Sequence, residues 1–145
     1  MNQDIIDLLH RERCSLVVSN QGRVRTFNKK GVRDLEFLLE HEPQFLRGAV
    51  IADKVIGKAA AGMAAVGGVT EIYAEVLSRK ALPILDKNHI KYSWATLVDA
   101  IVIPEGDNRC PLEQIVAPAT TASEVWTLLK RHFAEMQSRR GSAQA

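Results

Sequence analysis

The sequence predicts an α/β protein whose mixed sheet carries helices on both faces, and three observations predict it. Two short β-prone runs near the start, CSLVVS and RVRTF, are separated by Asn20, Gln21 and Gly22, a turn composition that joins antiparallel strands. From Leu46 onward, short apolar runs alternate with helical periods, the pattern of strands linked by crossover helices. The chain has 145 residues, enough for one ordinary core and too few for two, with no internal repeat or long linker.

In order along the chain, Ile5, Leu8 and Leu9 share one side at helical spacing, so a first helix is predicted from Asp4 to about Arg13. The hairpin follows. Val32, Leu35, Leu38 and Leu39 then form one stripe with Arg33, Asp34, Glu36 and Glu40 facing water, a helix that ends before Pro43. The run LRGAVIA is short and β-branched, which suits a central strand buried on both faces. Alanines dominate from Lys58 to Ala65 and let a helix pack close to the sheet until Gly67 and Gly68 end it. TEIYAEVLS is the next strand, and SRKALPILDKNHI the next helix, with Pro83 in its first turn. A strand around Ile90 to Trp94, the apolar LVDAIVIP and a turn at PEGDNR lead to Cys110. The last helix begins near Thr121, where Thr121 and Glu124 make a T-x-x-E capping pattern, and carries Val125, Trp126, Leu129, Phe133 and Met136 as its apolar stripe. Residues 1–137 are one domain by this reading, and the tail 138–145, SRRGSAQA, has no apolar content and is predicted to be disordered.

Composition narrows the classes of function. Hydrophobic residues at 46% and charged residues at 25% are ordinary for a soluble domain, and no apolar run approaches the roughly 20 residues that span a bilayer, so no membrane role is expected. The start MNQDIIDLLHRER lacks the pattern of a secretory signal, which makes the cytoplasm the expected compartment and free thiols the expected state of Cys14 and Cys110. A net charge of +2 with only short basic clusters argues against nucleic-acid binding, which needs clustered charge.

The stretches GAVIADKVIGKAAA and VTEIYAEVLSRKAL, with Gly106, Asp107, Cys110, Pro111 and Glu113 further on, resemble a family of small, functionally uncharacterised bacterial proteins with a cytidine-deaminase-like fold. The resemblance covers about residues 12 to 117. It implies a three-layer α/β/α sandwich in which two central helix N-termini, near Gly31 and near Gly57, converge on a pocket. Zinc deaminases place a His or Cys with Glu at the first terminus and Pro-Cys-x-x-Cys at the second, to hold three metal ligands and an activated water. This chain begins those helices KKGVRDL and VIGKAAAGMA instead, so no metal site, no cofactor and no zinc-dependent deamination are expected.

Asp53, Lys54, Gly57 and Lys58 stand where the second set of ligands would be. One reading delivers Asp53 and Lys54 to the pocket while the helix start at Gly57 and the charge of Lys58 favour a small anionic or nucleotide-like ligand. The other lets the lysines reach solvent and makes Asp53 a helix cap. A phosphate-binding P-loop is rejected, because Ala52 stands where its first Gly belongs and Ala59 where Ser or Thr belongs. Pro111 is suited to a first helical position, which sets Cys110 at a helix start and Glu113 where its carboxylate can reach back to the cap. Such a thiol can be a nucleophile, although Glu113 opposes its ionisation, and a buried structural thiol is the competing reading. Glu75 either faces the pocket or pairs with Arg79 or Lys80, and Gly31 with Lys30 and Arg33 either completes an anion site or, with Lys29, belongs to a solvated basic edge. The leading reading is a metal-free binding or regulatory domain. The alternatives are an enzyme that uses Cys110 as nucleophile or Lys54 or Lys58 as base with Asp53 or Glu113 in support, and a structural or partner-binding subunit. Exposed sheet edges and the last helix would both serve a homo-oligomer.

Overall fold

Strands β1 (Leu16–Asn20) and β2 (Arg23–Phe27) form the expected hairpin, antiparallel from Leu16 opposite Phe27 to Asn20 opposite Arg23. Gln21 and Gly22 turn the chain with φ of 51° and 80°, the left-handed conformations that suit the twist of a two-residue hairpin loop. The structure is a computed structural model that describes residues 2–29, 31–101 and 111–144.

Among the described residues the sheet has five strands in the order β2-β1-β3-β4-β5, where β3 is Val50–Ile56, β4 Glu71–Ser78 and β5 Lys91–Val98. β1 pairs antiparallel with β3, and β3, β4 and β5 run parallel. Helix α1 is Asn2–Arg11, α2 Arg33–His41, α3 Pro43–Leu46 and α4 Lys58–Gly67. A 3₁₀ turn at Arg79–Ala81 leads into α5 (Leu82–Lys87), and α6 (Pro111–Val116) and α7 (Ala122–Gln144) complete the chain.

Helices lie on both sides of the sheet, unequally. The crossovers β3-α4-β4 and β4-α5-β5 both advance toward the β5 edge, so their common right-handedness puts α4 and α5 on the same face. There α4 packs against α2, α3, α5, α6 and α7. Ala59, Ala60, Ala61, Gly62, Met63 and Ala64 are all buried, as in a helix enclosed all round. Among the described residues the opposite face holds α1 alone, whose Ile5 and Leu9 pack with Cys14, Val17 and Ala52.

Three elements differ from the sequence reading. Leu46 ends the short helix α3, which Pro43 starts by its fit to a first helical turn, so the central strand begins at Val50 and runs on to Ile56. The strand expected to stop at Trp94 continues into LVDAIVIP as far as Val98. α7 extends through Ser138 to Gln144, where a disordered tail was expected, because the helical period set by its apolar stripe has no Pro to stop it. The capping pattern at its start forms, with the Glu124 N–H donating to Thr121 Oγ1 (3.1 Å). Among the described residues no helix is long and apolar enough to cross a membrane.

Candidate functional site

At the C-terminal end of β3 the starts of α2 and α4 come together around a cleft of about 130 Å³. Gly31 and Val32 from the α2 side and Val55, Gly57, Ala59 and Ala60 from β3 and α4 form most of its wall. Ile101, Leu112 and Glu113 close the rest. The wall is almost wholly apolar because Val55 near the end of β3 and Ala59 and Ala60 in the first turn of α4 face it.

Glu113 decides the electrostatics of this cleft. Its Oε1 accepts the Lys58 N–H and its Oε2 the Ala59 N–H, each at 2.8 Å, so α6 caps α4 with a carboxylate. The expectation that Glu113 caps its own helix is corrected: the carboxylate reaches across to α4, whose first N–H groups point at it and whose dipole favours a negative charge there. Gly57 permits the approach, since a Cβ on it would stand 2.5 Å from Glu113 Oε1. Lys58 completes the clasp, its Nζ donating to the Ala117 carbonyl at 2.9 Å just past the end of α6. The positive end of α4, read from sequence as an anion site, thus holds a carboxylate of this chain.

Asp53 and Lys54 part company because successive strand residues point to opposite faces. Asp53 is on the side of Ile51 and the main core, 7% exposed, with Oδ1 accepting the Val55 N–H at 3.2 Å. Burial pushes its carboxyl up to about 7, opposed by the Val55 and Lys54 N–H groups and reinforced by the charge of Asp34. Asp34 is itself buried in the first turn of α2 and accepts the Lys29 N–H at 3.0 Å. Lys54 is exposed on the α1 side. Glu75 is also there, in contact with His10 Nε2 of α1 and accepting the Tyr73 hydroxyl at 3.1 Å. The expected pairing of Glu75 with Arg79 or Lys80 does not form; Arg79 Nε instead meets Asp99 Oδ1 at 3.2 Å.

Residues 4–133 match the family described as TM1506, domain of unknown function (DUF1893). The chain belongs to that family. It is similar to the crystal structure of a DUF1893 family protein (TM1506) from Thermotoga maritima, with a TM-score of 0.80 at 21% sequence identity over 90% of this chain and 88% of that one. That likeness is one of fold. No curated protein matches the sequence.

In this DUF1893 chain the cleft therefore gathers Gly31, Gly57 and Glu113 from the predicted set, with Asp53 one step down the same face of β3. Lys58 is tied to α6, while Lys54 and Glu75 lie on the other face. Cys110 and Lys30 fall outside the described residues. Cys14 is a free, buried thiol that burial pushes up, consistent with packing as a small apolar residue. Sequence reasoning missed Asp34, His10 and Tyr73. Asp34 had a signal, an acid in a helix's first turn, and so had Tyr73, which strand alternation puts on the same face as Glu75 two residues on; His10 had none, because it meets Glu75 only through packing of α1 on the sheet. Among the described residues no group of three His, Cys, Asp or Glu side chains is placed to hold a metal ion.

Proposed function

We propose that this protein binds a small, mainly apolar ligand of nucleobase size in the cleft between the starts of α2 and α4, as a metal-free binding or regulatory domain on a deaminase-like scaffold. The observation that carries this reading is the apolar cleft of about 130 Å³ at the carboxyl end of β3. Open α/β sheets bind ligands beyond the carboxyl ends of their strands. An apolar cavity of about 150 Å³ is enough for a benzene ring. Of the small anionic or nucleotide-like ligands expected from sequence, the uncharged ring of a nucleotide-like molecule fits better than an anion. The Lys58 and Ala59 N–H groups are already used, and the Glu113 carboxylate that uses them would repel a phosphate or carboxylate. The same lining offers neither imidazole nor thiolate among the described residues, which supports binding over zinc-dependent deamination.

A thermal-shift series tests the reading with neutral nucleobases and nucleosides beside inorganic phosphate and simple carboxylates. A ligand at tenfold excess over its dissociation constant stabilises by about 1.4 kcal/mol. Val55→Trp fills the cleft from an exposed wall position and is expected to remove the shift while the chain still folds. Stabilisation by anions alone, or a base-induced shift that survives Val55→Trp, would refute it.

A further inference from the structure

We propose that two copies of this chain pair antiparallel along β5 about a two-fold axis at Ala95, joining two five-stranded sheets into one. Among the described residues β5 pairs with β4 alone, and it does so in parallel. Parallel strands are normally covered on both faces. In β5 the consecutive residues Ser93, Trp94, Ala95 and Thr96 point alternately to the two faces, yet all four are exposed, Trp94 by 42%. Trp94 stacks on Tyr92 with ring centroids 6.1 Å apart, an aromatic pair at an open edge. The opposite edge, β2, is guarded in the usual way by charge: it carries Arg23 and Arg25, the latter paired with Glu42 at 2.8 Å.

Register follows from the backbone. The Lys91 N–H is donated toward β4, to the Thr70 carbonyl at 3.1 Å. Alternation along the strand then turns the N–H and C=O groups of Tyr92, Trp94, Thr96 and Val98 outward. In an antiparallel ladder, residues opposite each other are both hydrogen-bonded or both not, so the two-fold axis must pass beside a residue and not between two. With the axis at Ala95, Tyr92 faces the partner's Val98 and Trp94 faces the partner's Thr96 as hydrogen-bonded pairs. Ala95 meets its own copy at a non-hydrogen-bonded position, where Cα atoms approach to about 4.5 Å and a methyl group fits. The two Trp94 side chains share a face as diagonal neighbours about 7–8 Å apart, within reach of each other.

Charge selects this axis over its neighbours. The strand's one charge is Lys91 at its start, and Asp99 follows immediately after its end. An axis at Ala95 sets Lys91 opposite the partner's Asp99, twice. Axes at Trp94 or Thr96 set Lys91 opposite the partner's Leu97 or the partner's Ile101 and leave it without a counterpart. Asp99 already meets Arg79, but its side chain is 95% exposed and has room for a second cation.

Sedimentation velocity of the full chain at low ionic strength, over a concentration series, tests the proposal. The expected result is a dimer that Ala95→Arg converts to a folded monomer by placing like charges opposite each other, with circular dichroism as the folding control. Lys91→Glu and Asp99→Lys each should weaken the dimer about tenfold, and the double variant should restore it. Within one chain the two residues lie at opposite ends of an eight-residue strand, about 26 Å apart, so such a rescue must act between copies. A wild-type chain that stays monomeric, open-ended assemblies, a dimer indifferent to Ala95→Arg, or a failed charge-swap rescue would each overturn it.

Discussion

Asp53 is a carboxyl group on the covered side of β3, with backbone N–H groups for partners and the carboxylate of Asp34 as a neighbour. Its folded pKa of about 7 lies above the ordinary value of 3.8, so between those values the folded chain holds a proton that the unfolded chain has lost. Its effect on stability is therefore most favourable below about pH 4 and declines as pH rises to about 7. Urea titrations between about pH 4.5 and 8 should show that decline, and Asp53→Asn should flatten it. The variant should exceed wild type at about pH 8 by up to roughly 4 kcal/mol, the full span of the shift. An unchanged pH profile in Asp53→Asn would exclude this residue as the cause. Each oxygen of Glu113 accepts an N–H of α4. Glu113→Gln turns one acceptor into a donor facing a donor and should cost about 1–3 kcal/mol in chemical denaturation.

The element that gathers most of the molecule is α4, enclosed between the sheet and α7. Its small residues allow that placement: a Cβ on Gly62 would stand 2.4 Å from Val125 Cγ1 of α7. Gly62→Ala should therefore force the two helices apart and destabilise by about 1–3 kcal/mol, although alanine is the better helix former. Equilibrium denaturation measures it, and a stabilised variant would show that the contact yields easily. Helix α6 is too short to hold its own place, and the Glu113 and Lys58 bonds to α4 supply what its length does not. On β3, four more strand residues than expected, Asp53 to Ile56, set Asp53 and Lys54 on opposite faces.

Across the whole molecule, the hydrophobic core runs from Leu16 to Leu129, and no residue beyond Phe133 packs against it among the described ones. A chain ending at Gln137 should keep a single cooperative transition and lose less than about 1 kcal/mol, since the sequence beyond it has no apolar residue larger than alanine. Two transitions, or loss of folding, would show that the domain extends further. The uneven cover of the sheet is also a property of the whole. Successive right-handed crossovers in one direction put their helices on one face, leaving α1 to cover the other beside β1 and β3.

Turn composition was enough for the hairpin, small-residue composition for the buried alanine helix and a capping pattern for the start of α7, and the family resemblance pointed to the helix starts near Gly31 and Gly57. Those features depend on residues near each other in sequence, where turn chemistry, capping and the 3.6-residue period act directly. Membership in a family of unknown function was legible too, in the motifs around Gly57 and Glu113. The role of Glu113 was not, because a carboxylate can cap its own helix or a neighbouring one, and only the packing of α6 on α4 chooses. Nor was the separation of Asp53 from Lys54, which turned on how far one strand continues. The sequence determined which segments fold and where a cleft would open; the tertiary structure decided its charge, because a helix end attracts the nearest available anion and here the chain supplies its own.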